Sequence, residues 1–270
     1  MNIKLAAYID EVCDDPDKSC ELLVSKNINN ICLRRAWCRN IYNMPDNAIG
    51  ILNDILLKHK MTPILLHTDI GCVEPDKLIT EESKLVRAMH ICKYLKCRSL
   101  RVGLGLSSNK ENASECVLQW VTTISALSIS YDLSILLEPD INCYYRQAAP
   151  IAILLNKFKR LRLLYDPALL VMQAKTDNFV KFWSLLKSKV SFIDIHDFKT
   201  GNSAKPAGYG DAQLDLLVAD ALSYNFPGWF CLEPGLGSRY GDIITKEKTF
   251  LCAFDAFESL LQRIQLPKIL

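Results

Sequence analysis

The stretch Leu133-Ser134-Ile135-Leu136-Leu137-Glu138-Pro139 is a short apolar run that stops on a carboxylate followed by proline. The same shape returns as Leu161-Arg162-Leu163-Leu164-Tyr165-Asp166-Pro167 and as Trp229-Phe230-Cys231-Leu232-Glu233-Pro234. Between these two, Ser191-Phe192-Ile193-Asp194-Ile195-His196 carries its polar residues near its end. Continuous apolar runs of this length, separated by longer amphipathic stretches, mark the strands of a parallel sheet covered by helices.

Working outward, further runs fall at residues 4–9, 30–33, 63–66 and 99–102. Helical stretches are predicted over 19–26, 48–58, 74–97, 111–130, 145–158, 177–187, 211–222 and 246–264. In the second of these, Ile51, Ile55 and Leu56 are read as one apolar face, and Asp211 is read as the N-cap of the seventh. Eight strand–helix units without a low-complexity linker predict one α/β domain over residues 1–270, a single (β/α)8 TIM barrel.

Composition narrows the class of function. Half of the 270 residues are apolar and 23% are charged, which excludes wholesale disorder. With 32 basic against 30 acidic residues the net charge is +2, which makes no case for nucleic acid as a partner. The 11 cysteines form no C-x-x-C pair, and their odd count excludes a fully paired disulfide set. Free cysteines in apolar runs point to a reducing compartment. No secretory signal and no membrane-length apolar stretch is found, so a soluble, cytoplasmic protein with a small-molecule partner and no membrane contact is expected.

A barrel of this kind carries its chemistry where the strands end. Those ends are Asp10 with Glu11, Arg34, His67, Arg101, Glu138, Asp166, Asp194 with His196, and Glu233. A single acid after a strand commonly caps a helix or braces a loop, and Asp197 has that possibility alone. Several carboxylates converging in one mouth raise one another's pKa, and a divalent cation relieves that repulsion. An oxygen-rich set with at most one histidine suits Mg²⁺ or Mn²⁺, with Co²⁺ or Zn²⁺ as alternatives. Arg34, Arg101, Arg146, Lys199 and Arg239 are candidate anion contacts near the mouth, and His67 is a candidate substrate contact.

The order of acids over the last four strands resembles the xylose isomerase-like TIM barrels, the sugar phosphate isomerase/epimerase superfamily. Tyr8-Ile9-Asp10-Glu11-Val12, Leu33-Arg34, Thr68-Asp69-Ile70-Gly71, Leu100-Arg101-Val102 and Gly208-Tyr209-Gly210-Asp211 are similar to family motifs in the same order, as are both Leu-Glu-Pro segments and Tyr165-Asp166-Pro167. The resemblance implies one divalent metal on Glu138, Asp166 and Glu233, with a fourth ligand from the seventh strand. There the family has histidine where this chain has Asp194, and His196 follows two residues later. The resemblance leaves three readings: Asp194 as ligand, His196 as ligand, or a lost metal.

The implied activity is isomerisation or epimerisation of a sugar, sugar phosphate or related keto compound by enediolate proton transfer. Glu138 and Glu233 are then the catalytic pair, and Arg34, His67, Arg101 and Lys199 the substrate contacts. A dehydratase on the same scaffold and a non-catalytic small-molecule-binding barrel are the rival readings. The family's endonuclease branch needs more histidines than His59, His67, His90 and His196 supply. Homodimers or homotetramers are the assemblies the resemblance implies.

Overall fold

The apolar runs become a closed parallel barrel in the computed structural model, which describes residues 3–139, 142–172, 178–201, 203–236 and 245–265. Its strands are Leu5–Tyr8, Asn30–Leu33, Thr62–His67, Ser99–Val102, Ser134–Leu137, Arg162–Tyr165, Val190–Ile195 and Trp229–Leu232. Each pairs with its neighbour in sequence, and the first closes the ring by pairing with the last, Leu5 opposite Phe230 and Ala7 opposite Leu232.

Helices Pro16–Ser25, Asp46–Lys58, Glu82–Tyr94, Ala113–Tyr131, Ala148–Lys157, Asn178–Leu186, Leu214–Ser223 and Lys246–Gln265 cover the outside. Asp15 caps the first by accepting from the Asp17 N–H at 3.0 Å, and Pro16 pre-sets its first turn. The second buries Ile49, Leu52 and Leu56 against the barrel; Ile51 is 54% exposed, so the apolar face lies one step round from the expected one. The seventh begins at Leu214, three residues late, because Asp211 turns away to pair with Lys199 and to accept from the Thr200 N–H.

One turn recurs on the way from helix to strand. Asn27, Lys60, Lys96, Asp132 and Asn225 each adopt a left-handed backbone just past a helix. In each case the next N–H reaches back five residues, as in Ile28 to Leu23 O, Met61 to Leu56 O and Cys97 to Cys92 O. These bonds satisfy the last helical carbonyls and aim the chain into the next strand.

The barrel interior alternates with a period of two. Cys32, Leu65, Leu136, Leu164, Phe192 and Cys231 form an apolar floor with Ala6 and Tyr8. Two residues after each of those six stand Arg34, His67, Glu138, Asp166, Asp194 and Glu233. The strand geometry thus lifts every polar residue of the series to the C-terminal rim while its apolar partner fills the layer below.

Three additions were not foreseen in the sequence: a helical turn at Ile9–Val12, a helix at Pro167–Met172, and two small antiparallel hairpins. One hairpin pairs Arg35–Ala36 with Arg39–Asn40, the other Asp197–Lys199 with Ser203–Lys205. No helix among the described residues is long and apolar enough to cross a membrane. The cysteines are free thiols, mostly buried.

Candidate functional site

Glu138, Asp166 and Asp194 each bring a carboxylate oxygen within 4.8 Å of the others, and all three are buried. Asp166 is fixed at both oxygens. Its Oδ1 accepts from the Ala168 N–H at 2.8 Å, capping the helix Pro167–Met172, and its Oδ2 lies 2.9 Å from His196 Nδ1. Burial opposes a charge on His196, but Asp166 overcomes it and raises the imidazole to about 9. His196 therefore stands as a cation that orients Asp166, and the acid cluster itself is completed by Asp194.

Asp194 is the least comfortable group in the mouth. Its side chain is fully buried, and neither oxygen receives a hydrogen bond from any donor among the described residues. Burial and the carboxylates of Glu233, Glu138 and Asp166 push it well above the ordinary carboxylate range. The two acids act on each other, Glu233 adding to the rise at Asp194 and Asp194 helping to hold Glu233 low.

The two glutamates are each held by an arginine. Arg101 donates from Nε to Glu138 Oε2 at 2.9 Å and from the second amino group at 2.6 Å. It also donates to the Thr68 carbonyl at 2.7 Å and reaches Cys72 Sγ at 3.1 Å. Gly103 permits this, since a Cβ there would stand 2.7 Å from Cys72 Sγ. Burial still lifts Glu138 to about 7, against the pull of Arg101.

On the other side Arg34 binds Asp10 Oδ2 at 2.8 Å, Glu11 Oε1 at 2.6 Å, and Glu233. Burial disfavours the charge on Glu233, and Arg34 reverses this, bringing it down to about 2. Arg34 also lies over the Tyr8 ring at 5.0 Å.

His67 joins the two halves. Its Nδ1 is 3.0 Å from the Tyr8 hydroxyl and its Nε2 is 3.7 Å from Glu138 Oε2. Burial, then Arg101, drives the imidazole pKa well down, while burial keeps the Tyr8 proton in place. Tyr8 and the neutral His67 share this hydrogen bond, and the ring's Nε2 is turned toward Glu138. Tyr8 was missed in the sequence because a tyrosine inside an apolar strand carries no signal apart from core packing.

Lys199 is exposed on its hairpin and paired with Asp211 at 2.8 Å. Arg146 is exposed beside Ser107, and Arg239 lies outside the described residues. Asp197 braces a loop, accepting from Gly208, Gly210 and Ala212.

No protein-family model matches the chain, and no curated protein matches it in sequence. Solved structures do match. The IolI protein with a bound zinc atom aligns with a TM-score of 0.76 at 14% identity, over 97% of this chain and 99% of that one. This chain folds as a xylose isomerase-like TIM barrel. A protein of that description from Mycobacterium smegmatis, in complex with magnesium, gives 0.71 at 14% identity, covering 97% of each chain. A D-allulose 3-epimerase from Methylomonas, in complex with D-allulose, gives 0.73 at 11% identity, again over 97% of each. Glu138, Asp166, Asp194 and Glu233 follow the fifth to the eighth strands of this barrel and so gather on one side of the mouth, while Arg34, His67 and Arg101 come from the second to the fourth.

Proposed function

We propose that this barrel is a divalent-metal-dependent isomerase or epimerase of a sugar, sugar phosphate or related keto compound. The observation that carries the reading is Asp194, a fully buried carboxyl with no donor among the described residues, set within 4.8 Å of the Glu138 and Asp166 carboxylates. A buried carboxylate left in that state is strongly destabilising unless a proton or a metal cation meets it. The donor set is all oxygen, which suits Mg²⁺ or Mn²⁺, and the like-folded barrels holding zinc and magnesium agree with a divalent ion in general.

Glu138, Asp166, Asp194 and Glu233 would hold the ion, and His196 would keep Asp166 turned toward it. The bound ion supplies a Lewis acid for a carbonyl and its neighbouring hydroxyl. Glu138 and Glu233 then do the proton work, one taking a proton from the carbon beside the carbonyl and the other returning one. Arg101 and Arg34 fix these two carboxylates in place, and His67 Nε2 faces Glu138. The allulose epimerase of the same fold supports this class of reaction.

Metal content of the protein purified without added metal, followed by titration with Mn²⁺, tests the centre. Asp194→Ala is expected to abolish binding, whereas His196→Ala weakens it by about 10- to 100-fold through loss of orientation. Glu138→Gln and Glu233→Gln are each expected to abolish deuterium exchange from solvent into a ketose substrate. A wild-type chain that takes up no divalent ion at millimolar Mn²⁺ or Mg²⁺ removes the reading.

A further inference from the structure

The cations around the mouth are almost all engaged by the chain's own acids. Arg34 is divided among Asp10, Glu11 and Glu233, Arg101 is taken by Glu138, and Lys246 is held by Asp14 at 2.6 Å. Arg35 is not. Its Nε donates to Asn40 Oδ1 at 3.1 Å, and among the described residues no carboxylate pairs with its terminal nitrogens.

Arg35 also lines open space beside the mouth. Two cavities, of about 200 and 390 Å³, share Arg34 and Arg35 as a common wall. The smaller is lined by Arg34, Arg35, Arg101 and His67, with Asp69 as its acid, and the Tyr42 hydroxyl already donates to Asp69. Glu138 and Glu233 line neither cavity. The larger cavity also carries Asp10, Glu11 and Asp14, so it is the smaller cavity that presents guanidinium groups to a ligand, and two of its wall residues, His67 and Arg101, contact Glu138 of the acid cluster.

The backbone that carries Arg35 is built to stay in place. Its hairpin turns at Trp37 and Cys38, with φ of 49° and 61°. A two-residue turn with both φ values positive is ordinarily filled by Asn, Asp or Gly, and a bulky residue there is strained. The surroundings hold the strain: the Trp37 N–H donates to Asp14 O at 2.8 Å, and the Ile41 N–H donates to Arg34 O at 3.1 Å. Strain kept by local bonds beside a cleft is characteristic of ligand clamps.

We infer that Arg35 anchors an anionic group, a phosphate or a carboxylate, on the substrate of the acid centre. The substrate is then an anionic keto compound, not a neutral sugar. The reacting end of that substrate rests on the function proposed above, whereas the anion anchor stands on Arg35 and its cavities alone.

Calorimetric titration at low ionic strength with D-fructose, D-fructose 6-phosphate and D-gluconate tests it. The wild type is expected to bind one of the two anions about tenfold or more tighter than fructose, the value of a charge-assisted hydrogen bond. A preference for the phosphate or for the gluconate identifies which anion is read. Arg35→Ala should erase the preference, Arg35→Lys should keep part of it, and Arg39→Ala, on the same hairpin but outside both cavities, should leave it intact.

Equal binding of fructose and both anions overturns the inference, as do equal losses in Arg35→Ala and Arg39→Ala. Repeating the titration on the Glu138→Gln/Glu233→Gln double variant without metal separates the two claims. Anion preference that survives there, in a chain that binds no Mn²⁺, sustains the anchor while the metal reading fails.

Discussion

The floor and the mouth of the barrel are made by the same strands, two residues apart, and they obey opposite rules. The floor packs Leu136, Leu164, Phe192 and Cys231 with no polar atom to satisfy apart from the Tyr8 hydroxyl, which reaches up to His67. One step along, Glu138, Asp166, Asp194 and Glu233 are almost as buried, yet they repel one another and are restrained by Arg34, Arg101 and His196. Burial that stabilises the floor raises the free energy of the mouth. The difference marks the mouth as the strained layer of the barrel, with Asp194, which has no donor among the described residues, at its centre.

Substitutions can break that contrast. Arg101→Met is expected to have the largest effect, because it strands the buried Glu138 carboxylate; a loss of roughly 3–5 kcal/mol in urea unfolding would follow. In the floor, Leu164→Ala should cost about 2–5 kcal/mol by leaving a cavity, with the metal affinity of the folded fraction retained. The sharpest outcome is opposite in sign. Asp194→Asn should stabilise the metal-free protein by about 1–3 kcal/mol, since it removes a buried acid that no donor meets, while Mn²⁺ binding is lost. If Asp194→Asn instead destabilises the metal-free chain, the mouth is not the strained layer described here.

The smallest effect lies outside both layers. Asp220 accepts from Trp183 Nε1 at 2.7 Å and from Lys187 Nζ at 3.0 Å, and these bonds hold its carboxyl below the ordinary range. A lowered folded-state pKa contributes stability that is present above the unfolded value, near pH 4, and is lost as pH falls through the folded one. Asp220→Asn should therefore flatten the acid limb of the stability profile. Because the carboxylate is 42% exposed, the change should stay under about 1 kcal/mol. Thermal unfolding between pH 2 and 6 would record it.

Much of this architecture can be read from the chain directly. Asn30–Leu33, Ser99–Val102 and Trp229–Leu232 are strands at the residues expected, because short β-rich runs between helix caps have no competing structure. The acids at the ends of the last four strands were equally legible, since their position follows from the period of two. The Arg35–Asn40 hairpin was not, because its turn is filled by Trp37 and Cys38 and carries none of the usual turn residues. The N-cap expected at Asp211 fails for a related reason, and the helix starts at Leu214 instead: Lys199, 12 residues away, competes for that carboxylate and wins.

The sequence by itself determined the barrel and the set of acids at its rim, because strand periodicity and helix capping act between near neighbours. Only the tertiary structure decided which charges meet. Arg34 finds Glu233 across 199 residues because the first and eighth strands close the ring, and Arg101 finds Glu138 across 37 because their strands are adjacent. Among the described residues, that closure also leaves Asp194 without a donor and Arg35 without a carboxylate. Both are properties of who stands opposite in space, which no local pattern encodes.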